Sequence, residues 1–244
     1  MKIINLNIWG GRVGENLIKF FEKNKDVDIF LLQEVFHNAT DITAWDEIDR
    51  KEIFKEIGDL LSNHRGYFAP AESDEWGLAS FVKKDIFLQE HGDVFVHGTK
   101  NSMIGRDGTT LGKNLQYLKI NSNDRDYAIL NFHGLWNGKG KSDTEDRIKQ
   151  SERIINFIKT LSRDIVLSGD FNLRPDTESL RMLERELGLR NLIIEHKIET
   201  TRTSLYKKPE KHADYILITP TIKIKDFKVL PDEVSDHAAL FLEF

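Results

Sequence analysis

Repeatedly along this 244-residue chain a short apolar run stops on an amide, a carboxylate or an imidazole. Ile29-Phe30-Leu31-Leu32 halts at Gln33-Glu34, and Ile165-Val166-Leu167 runs into Gly169-Asp170-Phe171-Asn172. Runs this short suit strands covered on both faces rather than buried helices. Ahead of them, Ile4, Leu6 and Ile8 alternate with Ile3, Asn5 and Asn7, which is strand patterning ending at Gly10-Gly11. Leu17, Phe20 and Phe21 then fall at helical spacing, so the chain opens β-α-β.

Helical periodicity returns over 45–61 through Ile48, Ile53, Ile57 and Leu60, with Trp45 on the helix face, and a strand over 77–82 follows a polar loop. Strands over 115–120 and 127–132 flank Asn121-Ser122-Asn123-Asp124, a turn-rich cluster suited to a hairpin. Asn137-Gly138-Lys139-Gly140 reads as a loop, and Ser142 with Glu145 as a capping box before a helix carrying Ile148, Ile154, Ile155, Ile158 and Leu161. A helix over 178–187 and strands over 215–218, 223–229 and 238–244 complete the pattern. Strands that alternate with helices in places and pair directly in others predict an α/β chain with helices packed outside two mixed sheets. Without repeats, low-complexity tracts or a linker, residues 1–244 read as one domain.

Composition narrows the chemistry. The chain has no Cys, which excludes disulfide scaffolds and thiolate metal sites and fits a reducing cytoplasm. Its 39% apolar content is enough to fill a core, while a mean hydropathy of -0.44 and the lack of a long apolar run exclude a membrane helix. The start MKIINLNIWGG is too short and too polar for a signal peptide. A net charge of -5 argues against broad clamping of duplex DNA, and a monomer is expected.

Polar residues at strand ends converge on one rim in layered α/β folds. Asn7, Gln33, Glu34, His133, Asp170, Asn172, Asp214, Asp236 and His237 all lie at such ends. Oxygen donors of this kind suit a hard divalent cation, and the histidines suit proton transfer. Gly-Asp-Phe-Asn and Ser-Asp-His on their own are also ordinary turn and cap sequences. In order, however, Leu6-Asn7-Ile8-Trp9, Leu32-Gln33-Glu34, Asn131-Phe132-His133, Gly169-Asp170-Phe171-Asn172, Asp214-Tyr215-Ile216 and Ser235-Asp236-His237 resemble the motifs of the endonuclease/exonuclease/phosphatase superfamily of metal-dependent phosphoesterases. The resemblance spans nearly the whole chain and implies a four-layered α/β sandwich like that of deoxyribonuclease I. It implies that Glu34 binds Mg²⁺ or Mn²⁺ with help from Asn7 and Asp236, that Asp170 and Asn172 hold the attacking water and a phosphate oxygen, and that His237 acts as base or stabiliser oriented by Asp214. His133 would contact the phosphoryl oxygens or the leaving group, and Glu75 occupies the place of an acid that orients this histidine in some members.

Arg202 to Lys211, with Lys207 and Lys208, is a basic run ahead of Asp214 that could face a substrate phosphate, as could Arg106, Lys113 and Arg174. Trp9, Trp76 and Trp136 neighbour the proposed site and suit either core packing or stacking on substrate. His37, His64, His91, His97 and His196 have no partner pattern and read as structural. His133 stands where abasic endonucleases of the exonuclease III type usually carry Tyr, and the inositol 5-phosphatase signatures do not match. The expected substrate is therefore a phosphodiester in a nucleotide or single-stranded nucleic acid. A lipid or sugar phosphate hydrolase and a non-catalytic binding module are the alternatives.

Overall fold

The computed structural model describes residues 1–40, 47–102, 111–122, 124–138 and 140–244. Trp45, Arg106, Asn123 and Lys139 lie outside the described residues. Strand β1 (Lys2–Asn7) passes through helix α1 (Glu15–Lys23) into β2 (Ile29–Phe36), which pairs parallel to it with Asn7 opposite Gln33. Helix α2 (Ile53–Leu60) then leads to the antiparallel pair β3 (His64–Glu72) and β4 (Trp76–Lys83), the latter joining β2. Two late strands, β11 (Asp226–Val229) and β12 (Leu240–Glu243), complete the first sheet in the order β11-β12-β1-β2-β4-β3.

The second sheet repeats the plan. β5 (Phe87–His97) and β6 (Lys113–Ser122) precede β7 (Arg125–His133), which reaches its parallel partner β8 (Asp164–Asp170) through helix α3 (Glu145–Ile158). After helix α4 (Glu178–Leu187) come β9 (Arg190–Asn191), the short α5 (Leu192–Glu195) and β10 (Asp214–Ile218), in the order β5-β6-β7-β8-β10-β9. No helix among the described residues is long and apolar enough to cross a membrane.

The two-residue period of β1 decides the layering. Ile4, Leu6 and Ile8 pack with Leu17, Phe20, Phe21 and Ile57 under α1 and α2. Ile3, with Ile29 and Leu31 of β2, joins the larger core of the second sheet and its helices, which includes Leu130, Leu167, Ile154 and Leu180. Each fully buried Phe or Leu contributes on the order of 2 kcal/mol. Asn5 and Gln33 meet a polar layer between the sheets. Gln33 Nε2 donates to Asn5 Oδ1 at 2.9 Å and to Asn131 Oδ1 at 2.7 Å, and Asn131 Nδ2 donates to the carbonyls of Leu32 (3.0 Å) and Ala79 (3.1 Å). Gln33 thus ties the strands beneath the site together.

Several expected boundaries move. The helix expected over 45–61 is confined to α2, and Ile48 is 58% exposed, outside the helical stripe. The polar loop before β4 is strand β3, which tolerates Pro70 because it lies at a sheet edge. The cap of α3 is Thr144, whose hydroxyl accepts from Arg147 N at 3.4 Å, in place of the Ser142 box. Ser142 instead offers its carbonyl to the Arg147 guanidinium, and Asp143 caps α4 by accepting from Glu178 N and Ser179 N at 2.7 and 2.9 Å. The last two strands are shorter than the apolar runs that announce them.

Candidate active site

Strand polarity gathers the site. The ends of the parallel pairs β1/β2 and β7/β8 lie on one rim, and antiparallel neighbours bring their starts there. Phe36 pairs with Trp76, Leu115 with Phe132, and Asp214 with Asp170. Trp76 and Lys113, which begin β4 and β6, therefore join Asn7, Glu34, His133 and Asp170, which lie at or near strand ends. The rim surrounds a cavity of about 300 Å³ whose lining includes Glu34, His133, Asp170, Asn172, Asp236 and His237.

Local backbone aims these groups. Pairing of β2 with β4 slips between Leu32 and Val35, and Glu34 adopts φ 57° at this bulge, so its carboxylate reaches the cavity. Asn172 has φ 54° and closes a turn in which its N–H donates to Asp170 Oδ1 at 2.9 Å. Left-handed backbone at non-glycine residues costs on the order of 1–3 kcal/mol and concentrates where position matters. At Gly169 a Cβ would fall 1.9 Å from the Phe132 carbonyl oxygen, so only glycine lets β8 approach β7 this closely.

Asn7 Nδ2 bridges two acids, donating to Glu34 Oε1 at 3.0 Å and to Asp170 Oδ2 at 3.1 Å. His133 Nε2 lies 3.8 Å from the same Glu34 oxygen and 3.7 Å from Asp170 Oδ2. On the other side of Asp170, His237 Nε2 is 3.6 Å from Oδ2, and His237 Nδ1 sits 2.9 Å from both oxygens of Asp214. Asp214 is fully buried and also accepts from Thr201 Oγ1 at 3.1 Å. Asp236 accepts from Arg202 Nη1 at 3.3 Å.

The electrostatics follow from burial and neighbours. Burial pushes the Glu34 carboxyl up despite the Asn7 hydrogen bond, and it pushes His133 well down, aided by Lys113. Burial alone would also raise Asp170, but His237, Lys141, His133 and Arg202 outweigh it and hold this carboxyl below its usual range. For His237 burial lowers, yet Asp214 prevails and the imidazole titrates above its ordinary value. With its Nδ1 side committed to Asp214, His237 presents Nε2 to the cavity.

A divalent cation fits the donor set. Glu34, His133 and Asp170 offer ligand atoms within 4.8 Å of one another, as do Asp170, Asp214 and His237. A buried and a half-buried carboxylate sharing one amide donor form an oxygen-rich locus of the kind Mg²⁺ or Mn²⁺ takes.

Some expected residues lie elsewhere. Glu75 Oε2 accepts from Thr40 N at 2.8 Å, while the ring beside His133 is Trp76, with centroids 5.6 Å apart. Lys207 is exposed and donates to the Ser204 carbonyl at 2.7 Å, and Arg174 pairs with Asp176, whereas Lys208 and Lys113 line the cavity. His64 Nε2 donates to the Val27 carbonyl at 2.7 Å, and His37, His91 and His196 pack on aromatic rings. Sequence reasoning did not single out Arg12, Lys141, Thr201 or Tyr206. Lys141 Nζ donates to Asn172 Oδ1 at 2.7 Å, and Arg202 lies 4.0 Å from the Tyr206 ring centroid. A lysine after a glycine loop or a threonine just ahead of a basic run carries no signal of its own.

Comparison with known proteins agrees with this architecture. Over 103 residues the chain is 31% identical to Protein angel of Drosophila melanogaster, a match covering 41% of the chain and 28% of that protein's length. The fold is similar to the mannosyl-6-phosphatase Bt3783 of Bacteroides thetaiotaomicron, with a TM-score of 0.77 at 17% identity over 100% of this chain and 98% of that one. It is also similar to truncated Caenorhabditis elegans TDP2, with a TM-score of 0.68 at 19% identity over 99% and 95% of the two chains. The family model described as Endonuclease/Exonuclease/phosphatase family matches residues 4–237, a span that runs from β1 to His237 and takes in every residue placed around the cavity, and the chain belongs to that family.

Proposed function

We propose that the protein hydrolyses a phosphodiester in a nucleotide or single-stranded nucleic acid by attack of water. The observation that carries this reading is the Asp214–His237 pair aimed at Asp170, on the floor of the cavity that also holds Glu34. Glu34, flanked by Asn7 and Asp236, would hold Mg²⁺ or Mn²⁺, which neutralises charge on the phosphoryl oxygens. Asp170 orients the water and accepts its proton, kept in place by the Asn7 and Asn172 amides, the latter 3.4 Å away. His237 Nε2 holds a proton against the charge that builds on the phosphoryl group, and Asp214 keeps the ring oriented. His133, neutral in this setting, donates to a non-bridging or leaving oxygen. Trp136, 38% exposed at the mouth, offers a face to a base or sugar.

A second reading, hydrolysis of a sugar phosphate, is supported by the small cavity and by the shared fold with a mannosyl-6-phosphatase. The cytoplasm is the proposed compartment, in keeping with a cysteine-free chain. Turnover of bis(p-nitrophenyl) phosphate with Mg²⁺, Mn²⁺ and EDTA tests the reaction. Activity that needs the metal and falls at least ~100-fold in His237→Ala is expected. No turnover by the wild type, or full activity in that variant, would sink it.

A further inference from the structure

One wall of the cavity carries a charge that the chemistry above leaves unused. Lys113 opens β6, is 3% exposed, and lines the cavity beside Trp76, His133 and Glu34. Its ammonium lies 5.0 Å from the Trp76 ring centroid. Among the described residues no carboxylate approaches it within 4.0 Å and no acceptor takes a hydrogen bond from it. The other buried or half-buried cations of the lining are engaged, Arg12 with Asp49 at 2.7 Å, Lys141 with Asn172 at 2.7 Å and Arg202 with Asp236 at 3.3 Å.

The Lys113 ammonium opens on the cavity without a protein acceptor, and an anionic oxygen there is the partner that completes it. Glu34 and Asp170 act on Lys113 only at longer range, and the cation proposed above would compensate their charge. The negative charge left for Lys113 is that of the substrate. A plain diester brings one such charge, which His237, His133 and the proposed cation would already meet. We infer that Lys113 is a substrate-binding residue that recognises one negative charge more than a plain phosphodiester carries. That charge is either the second charge of a terminal phosphoryl group at the reacting position or a non-reacting phosphate beside the scissile one. The inference rests on the phosphoesterase reading.

Three chromogenic esters separate these sources. The p-nitrophenyl ester of thymidine monophosphate is a plain diester, that of thymidine bisphosphate adds a neighbouring phosphate, and p-nitrophenyl phosphate is a dianionic monoester. For wild type and Lys113→Met, kcat/KM is measured on each with Mg²⁺, beside thermal melts. The ratio of an extra-charge ester to the plain diester is expected to fall ~30-fold in the variant, within the range of a hydrogen bond to a charged group. The bisphosphate ester responding alone assigns Lys113 to a neighbouring phosphate, and the monoester alone assigns it to the reacting one. Ratios unchanged within ~3-fold for both would overturn the inference. Calorimetric binding of thymidine bisphosphate, with and without Mg²⁺, reads the same contact without turnover. If the wild type hydrolyses none of the esters, the phosphoesterase reading fails, and equal bisphosphate affinity in wild type and Lys113→Met still refutes the role of Lys113.

Discussion

Lys113→Met is expected to make the protein more stable, and the magnitude follows from burial. With 3% of its surface exposed, the Lys113 ammonium is pushed by burial from its ordinary 10.5 to about 8, the distant Glu34 and Asp170 carboxylates offsetting only part of that effect. At about 1.4 kcal/mol per pH unit, the gap corresponds to about 3 kcal/mol of charge-burial cost. The pKa is lower in the folded state than in the unfolded one, so between about 8 and 10.5 the unfolded chain binds more protons and stability rises with pH. The cost is therefore present in full below about 8 and fades as the pH approaches 10.5. Methionine matches the aliphatic length of lysine without the charge, so the variant should exceed wild type by about 2–3 kcal/mol at pH 7 and converge with it near pH 10.5. Urea unfolding of both proteins in EDTA at several pH values measures the difference, and groups that titrate alike in the two proteins cancel. A variant no more stable than wild type at neutral pH, or a difference that does not change with pH, would refute the reasoning.

Other outcomes test the remaining geometry. Asp214→Asn keeps the shape of the side chain but removes the charge that favours the His237 imidazolium, so kcat should drop roughly 100-fold or more while circular dichroism stays native. Glu34→Gln should abolish the rise in melting temperature that millimolar Mn²⁺ gives the wild type, read by differential scanning calorimetry. A rise of the same size in the variant would remove Glu34 from the metal site. Arg147, 2% exposed, donates to the carbonyls of Leu135, Gly140 and Ser142, so Arg147→Leu should cost about 3 kcal/mol in urea unfolding by stranding those acceptors. Gly169→Ala, whose methyl would press on the Phe132 oxygen, should destabilise by several kcal/mol, and a melting temperature within ~2 °C of wild type would show that β7 and β8 can part without loss.

The elements legible in the sequence are those whose burial is periodic. β1 announces itself because alternate residues face two different cores, and β2 because every residue of Ile29–Leu32 is covered. The edge strands escaped for the same reason. β3 mixes exposed Arg65 and Gly66 with Pro70, and β5 fully buries only Val96 of Phe87–His97, so neither has a continuous apolar face to read. The cap of α3 was misplaced by two residues because Ser142, Asp143 and Thr144 are all competent caps, and tertiary structure distributes them among Arg147, α4 and α3 itself.

The site divides along a physical line. Its acids, amides and histidines were visible because a polar residue closing an apolar run contradicts the local pattern, and such a contradiction is readable one strand at a time. Its cations were visible only in part, Lys113, Arg202 and Lys208 as bases that could face a phosphate, Arg12 and Lys141 not at all. Arg12, Lys141 and Arg202 sit in loops where a basic residue contradicts nothing, and Lys113 starts a strand rather than ending one. Only the antiparallel pairing of β6 with β7 turns that start toward His133. A chain of net charge -5 thus lines its cavity with Arg12, Lys113, Lys141, Arg202 and Lys208 against Glu34, Asp170 and Asp236. The average charge says little about the field a substrate meets, because that field is set by which strand ends the topology brings to one rim. On the proposed reading the acids would hold a cation and a water, and the bases would set how much negative charge the substrate brings.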